Sequence, residues 1–166
     1  MTATTMITGY RPGLIGRITE LHAEYYARHW NFGTFFEARV ATELSDFVRQ
    51  YDPQQDLICS LDMDGRIEGS ITIDGSSDPG SHAHLRWFIV SERLQGQGAG
   101  KRLLQQAMDF CRSRQYEHVY LDTFKGLDSA HHLYEKYGFI LTREEQGEQW
   151  GSMVTEQRFE CTRLLA

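Results

Sequence analysis

The chain has 166 residues, 40% of them apolar and 24% charged, a balance that fits one soluble globular domain over residues 1–166 and excludes a disordered or fibrous chain. At that length a single domain buries roughly 70% of its extended-chain surface and holds a real core. With 17 basic against 23 acidic residues, a net charge of -6 and no Lys/Arg-rich run, the electrostatic footprint of nucleic-acid binding is missing, and no 18-residue apolar run offers a membrane span.

Met1-Thr2-Ala3-Thr4-Thr5-Met6 has no basic stretch followed by an apolar one, so no export signal is expected. Leu14, Ile18, Leu21 and Tyr25 recur at helical spacing after Pro12-Gly13, and Phe36, Val40, Leu44, Phe47, Val48 and Tyr51 do so before Pro53, which predicts two amphipathic helices. Between them, His29-Trp30-Asn31-Phe32-Gly33-Thr34-Phe35 is too aromatic for an inert linker, and core packing and ligand contact account for it equally well. From Leu57 the period becomes two, through Cys59, Leu61 and Met63, and Asp64-Gly65 turns the chain into Ile67, Ile71 and Ile73; this is a β-hairpin pattern.

Gly75-Ser76-Ser77-Asp78-Pro79-Gly80 reads as a turn cluster, and His84 to Val90 as a central strand covered on both faces. Leu103, Leu104, Ala107, Met108 and Cys111 form a helical stripe, followed by a strand from His118 to Phe124 and a helix from about Leu127 to Tyr137 ended by Gly138. Strands at Phe139 to Glu144 and Val154 to Leu164, joined by a Gly147 to Gly151 bend, complete the pattern. Cys59, Cys111 and Cys161 are odd in number and lie in apolar runs, which predicts buried thiols and a reducing, cytoplasmic setting.

The chemistry gathers where the His84 to Val90 strand passes through Ser91-Glu92-Arg93-Leu94 into Gln95-Gly96-Gln97-Gly98-Ala99-Gly100-Lys101 and a helix. Glycines let a backbone approach an anion, and free N–H groups with the helix dipole put partial positive charge at the same point. A phosphate or pyrophosphate site is one reading of such a loop; a tight turn with close packing is the other. Arg102 after Lys101 excludes a Walker loop, and the preceding hairpin argues against a Rossmann unit.

Gln95-x-x-Gly98-x-Gly100 after this strand resembles the Arg/Gln-x-x-Gly-x-Gly/Ala signature of GNAT acetyltransferases, and Ala130-His131-His132-Leu133-Tyr134-Glu135-Lys136-Tyr137-Gly138-Phe139 resembles the family's A-x-x-L-Y-E-x-x-G-F helix. More narrowly, Leu85 to Val90, Leu121 to Leu127 and Gln149 to Phe159 are similar to the acetyltransferase half of MarR–acetyltransferase fusion proteins. Leu127 stands where the family often has Asn. The resemblance implies the GNAT fold, an α/β (α+β) arrangement with a mixed, mostly antiparallel sheet of about seven strands and about four helices, as one N-acetyltransferase domain. In many members the C-terminal strands pair across a homodimer.

It also implies acetyl-CoA as the acetyl donor and an amine of unspecified identity as acceptor, with no metal. The pantetheine arm would lie beside Phe88, Ile89 and Val90, and the pyrophosphate on the amides of Gln95, Gly96, Gln97, Gly98, Ala99, Gly100 and Lys101, with Ala130 and Tyr134 on the cofactor helix. An N–H near Ile89 would polarise the thioester carbonyl. Tyr134 would protonate the departing thiolate. A lysine-like amine is only about one part in 2,500 neutral at pH 7, so a base is expected; His84, on the cofactor strand, is the candidate because a histidine titrates near neutrality.

His82 and His84 share a strand face without an evident third ligand, and Glu24, Glu68 and Glu135 are alternative bases or substrate anchors that read more simply as solvated. A CoA-binding sensor without turnover is the competing functional class.

Overall fold

The computed structural model describes residues 3–78, 81–162 and 164. In chain order the elements are β1 (Thr5–Thr8), α1 (Leu14–Trp30), α2 (Thr34–Arg49), β2 (Leu57–Met63), β3 (Arg66–Asp78), β4 (His82–Val90), α3 (Ala99–Ser113), β5 (His118–Phe124), α4 (Asp128–Lys136), β6 (Ile140–Gly147) and β7 (Val154–Cys161), with a single 3-10 turn at Glu92–Leu94. The seven strands form one sheet in the order β1-β2-β3-β4-β5-β7-β6. Every neighbouring pair is antiparallel except β4 and β5.

The apolar spacing read from the sequence sorts the helices onto the two faces. Leu14 and Ile18 of α1 and Phe36, Val40 and Leu44 of α2 pack with Ile58, Ile67, Trp87, Ile89 and Phe124 on one side. Leu103, Leu104, Ala107 and Cys111 of α3, with Tyr134 of α4, pack with Cys59, Leu61, Ile71, Ala83 and Leu85 on the other. Two cores therefore share one sheet, and burying a leucine or isoleucine side chain in either contributes roughly 1.5–3 kcal/mol. The β2–β3 hairpin turns at Asp64 (φ 55) and Gly65 (φ 82), the paired positive values that match strand twist. The Gly138 N–H closes α4 on the Glu135 carbonyl at 3.1 Å.

Two readings change and one strand is added. Gly75 to Asp78 is strand and not turn: β3 continues to Asp78, where it pairs with His82, and the Asp56 carboxylate accepts the Gly75 N–H at 2.9 Å. Pro79 and Gly80 lie outside the described residues, as does Arg163 in the last predicted strand. The short segment Thr5–Thr8 pairs with β2 as an edge strand that apolar periodicity does not reveal. Finally, β4 is not apolar on both faces: His84 and Arg86 are half-buried and polar toward the α1–α2 side.

Candidate active site

The central opening of the sheet follows from one irregularity in β4. Ser70 pairs with Ile89 and Thr72 with Arg86, so Ile71 alone faces two residues, Trp87 and Phe88. Trp87 takes φ 47 to accommodate the bulge, and a bulge bends its strand. Arg86 and Trp87 consequently turn to the same side, the guanidinium lying 4.1 Å from the indole centroid, while Phe88 and Val90 turn toward α3 and α4. Parallel pairing with β5 stops after His84↔Tyr120. Beyond it the two strands part, and a cleft of about 800 Å³ opens at their carboxyl ends, the place where parallel strands commonly receive ligands.

Strand alternation decides which amides face that opening. The Ser91 N–H donates to Glu68 O of β3 at 2.7 Å, so Ile89, two residues earlier, also directs its N–H toward β3, and Val90 directs its own into the gap. The donor expected near Ile89 is therefore the Val90 N–H.

Below the gap, Gly96 and Gly98 both have φ 76 and have open space where a β-carbon would stand. Gly98 is the N-cap of α3, which leaves the first helical amides unpaired. Phe88, Ile89, Val90, Gln95, Gly96, Gly98, Ala99, Gly100, Ala130, Tyr134 and His84 all line the cleft. Gln97 and Lys101 do not: the Gln97 amide donates to Arg93 O at 2.9 Å, and Lys101 belongs to the first turn of α3. The backbone cradle and the long cleft fit a pyrophosphate with an extended arm.

Tyr134 is 6% exposed and sits among Phe88, Phe139 and Phe159 at ring distances of 6.1, 5.9 and 6.0 Å. Burial raises its phenol well above the usual value of 10, so the hydroxyl stays protonated. His84 lines the same cleft but is not poised near neutrality. Burial, then the Arg86 charge, pushes it down to about 4. It stacks on Tyr120 at 4.4 Å and lies 3.8 Å from Asp122, whose carboxylate already accepts two hydrogen bonds from Arg158, at 2.8 and 3.0 Å. His84 thus stands beside a carboxylate already paired with Arg158 and is uncharged at pH 7.

Glu68 is likewise not solvated: 2% exposed, it joins Arg17 of α1 (3.1 Å) to Arg93 beside the glycine loop (3.0 Å). His131 is half-buried against Phe159, and His132 is exposed. Among the described residues no three His, Cys, Asp or Glu side chains converge on a metal position, and no helix is long and apolar enough to cross a membrane. Cys59, Cys111 and Cys161 are buried and unpaired.

The other wall of the cleft carries residues that sequence patterns did not mark as functional: His22, Tyr25, Tyr26, Arg39 and Glu43 from α1 and α2. Tyr26 packs on Phe32, Phe36 and Phe124 at 5.8, 5.0 and 5.9 Å. The aromatic α1–α2 junction serves both packing and cleft: Phe32 is buried, Phe36 lines the opening, and Phe35 is exposed. Gln149 and Trp150 of the β6–β7 bend reach the same wall, with Arg39 donating to the Gln149 carbonyl. The local signal for the α1–α2 part of this wall is its density of aromatic rings, whereas Gln149 and Trp150 open a segment that sequence similarity already marks.

A family model described as the acetyltransferase (GNAT) family matches residues 15–139. Over 146 residues, 87% of this chain and 67% of the relative, the sequence is 25% identical to "Probable N-acetyltransferase camello" of Xenopus tropicalis. The fold is similar to a GNAT-family acetyltransferase from Staphylococcus aureus Mu50 (TM-score 0.76, 16% identity, 96% of this chain and 98% of that one). It also resembles a Salmonella typhimurium acetyltransferase structure with its cofactor acetyl-CoA (0.76, 14%, 97% and 94%) and the ribosomal-protein-S18-alanine N-acetyltransferase of Escherichia coli (0.70, 17%, 99% and 96%). With the bulged β4, the parted β4 and β5 and the glycine cradle at α3, the match over most of the chain shows that the protein belongs to the GNAT family of acyl-CoA-dependent acetyltransferases.

Proposed function

We propose that the protein transfers an acetyl group from acetyl-CoA to a primary amine by direct attack, with both substrates bound at once. The observation that carries this reading is the parting of β4 and β5, because it leaves a passage through the sheet. Tyr134 stands on the α3–α4 side and the aromatic wall of Tyr25, Tyr26 and Trp150 on the other. A donor held on one side can meet an acceptor from the other without a covalent acyl-enzyme, and the buried cysteines offer no nucleophile. The amides of Gly96, Gly98, Ala99 and Gly100 would hold the pyrophosphate, the Val90 N–H would donate a hydrogen bond to the oxyanion developing at the carbonyl, and Tyr134 would supply the proton that the thiolate takes.

The bound donor supplies an activated thioester; the chain supplies orientation and exclusion of water. The segments Leu85 to Val90, Leu121 to Leu127 and Gln149 to Phe159, which resemble MarR–acetyltransferase fusion proteins, each contribute residues to the cleft, the last through Gln149 and Trp150, and this likeness supports a related acceptor side. Calorimetry with acetyl-CoA, followed by CoA release on a panel of small amines, peptide N-termini and lysine peptides, tests the proposal. Binding followed by release on at least one amine is expected. Binding without release on any of them would identify a sensor instead.

A further inference from the structure

His22 is 6% exposed yet lines the cleft. Its Nδ1 stands 2.8 Å from the Ile18 carbonyl, one helical turn back; since a carbonyl only accepts, Nδ1 carries the proton and Nε2 holds the lone pair. The tautomer is set by the helix itself. Tyr26 lies one turn further along, its ring 6.3 Å from the imidazole, and it is near enough to Tyr134 that ionising one would raise the pKa of the other. His22, Tyr26 and Tyr134 therefore line the passage from its acceptor wall to its donor side.

Burial holds both His22 and His84 at about 4, so basicity does not choose between them; their charged neighbours do. Arg86, Arg158, Asp74 and Asp122 act on His84. Among the described residues only burial and the Ile18 carbonyl perturb His22, which stays uncharged down to about pH 4. Its ring neighbour is a phenol, Tyr26 of its own helix, 6.3 Å away, and Tyr26 in turn stands near Tyr25 and near Tyr134 of α4.

We infer that His22 Nε2 is the group that receives the proton of the attacking amine. The assignment rests on the acetyl-transfer reading above. The small neutral fraction of the amine attacks, its ammonium form having lost a proton to solvent beforehand; as the nitrogen forms its bond to the thioester carbon, the carbonyl π electrons move to oxygen and the nitrogen becomes strongly acidic, and Nε2 takes its proton. Collapse then breaks the C–S bond, the thiolate takes a proton from the Tyr134 hydroxyl, and the imidazolium proton returns to Tyr134 through Tyr26 or water. Amine and thioester become amide and thiol, with no other reactant consumed. A weak base suffices because the proton moves only after the nitrogen has lost its basicity, and burial keeps the acceptor form available throughout the working pH range.

The test uses the full chain, acetyl-CoA and whichever of phenethylamine, Nα-acetyl-lysine amide and an alanine-initiated peptide turns over fastest. His22→Ala is expected to lower kcat by about 10²-fold, with the acetyl-CoA Kd unchanged. Added imidazole is expected to restore part of the rate, and the remaining activity to rise with pH along the acceptor's own ionisation. His22→Gln, which can accept a hydrogen bond but not a proton, is expected to be as slow as the alanine variant. If His22→Ala does not fold, His22→Asn, which keeps a donor for the Ile18 carbonyl, replaces it in the same measurements.

Wild-type kcat and pH profile in folded variants, or a loss that neither imidazole nor alkaline pH reverses, overturns the assignment alone. A wild-type protein inactive on every amine overturns the transfer reading, and the assignment with it.

Discussion

The indole of Trp30, the last residue of α1, rests directly on Gly126 in the turn between β5 and α4, and a β-carbon there would overlap the ring. Trp30 also meets Phe124 edge-on at 4.7 Å. The helix that forms the acceptor wall is thereby locked to the turn that launches the Tyr134 helix. Gly126 has φ 115, so Gly126→Ala combines steric overlap with backbone strain. A loss on the order of 1–3 kcal/mol is expected, lowering the unfolding midpoint by roughly 2–4 °C per kcal/mol. The KM for amine should rise while acetyl-CoA affinity holds, measurable by thermal unfolding and steady-state kinetics.

Gly98 separates strain from clash. It sits at φ 76 with nothing within 4 Å of an added β-carbon, so Gly98→Ala costs only the left-handed backbone, about 1–2 kcal/mol. If the chain relaxes by turning its amides away from the cradle, acetyl-CoA should bind roughly 5- to 30-fold more weakly by calorimetry. Unchanged affinity would remove the loop from pyrophosphate binding.

Tyr134→Phe deletes one hydroxyl from a ring cage of Phe88, Phe139 and Phe159, so packing and donor binding should persist. A fall in kcat of about 10²-fold is expected with the acetyl-CoA Kd within a factor of two or so. Equal rates for both proteins would refute its role as acid.

Stability should decline in mild acid. His22 and His84 have folded pKa values of about 4 against a usual 6.5, so between these values the unfolded chain binds more protons. Their contribution is complete above pH 6.5 and is lost as pH falls toward 4. Each shift corresponds to a loss on the order of 3 kcal/mol across that window. Urea unfolding between pH 7.5 and 4.5 should show the decline, and replacing either histidine with Asn should remove about half of the slope.

Burial pushes the Cys59 thiol up to about 11 and the Cys111 thiol up to about 12, and Cys161 is 2% exposed. A disulfide reagent at pH 8 should therefore find almost no reactive thiol in the native protein and three after denaturation. Three fast-reacting thiols in the native state would contradict this packing. The same property keeps the protein from contributing background to a CoA-release assay.

Features governed by neighbouring residues were legible in the linear chain. Leu14, Ile18 and Leu21 announce a helix face because burial repeats every 3.6 residues, Asp64-Gly65 a hairpin because both need positive φ, and Gly96 and Gly98 a cradle because their conformation is a local demand. Tyr134 was legible as part of a motif. Long-range pairing settled the rest. Gly75 to Asp78 has turn composition but becomes strand because β4 lies alongside it, and nothing around Trp87 foretells a left-handed tryptophan, which exists because β3 has one residue fewer than β4 at that point. His84 looks like a neutral-pH base until the packed sheet desolvates it, and His22 looks like one more helical residue until α1 is laid across the place where β4 and β5 part. Composition and spacing are properties of adjacent residues, whereas a cleft and the pKa values inside it arise from segments that only folding brings together.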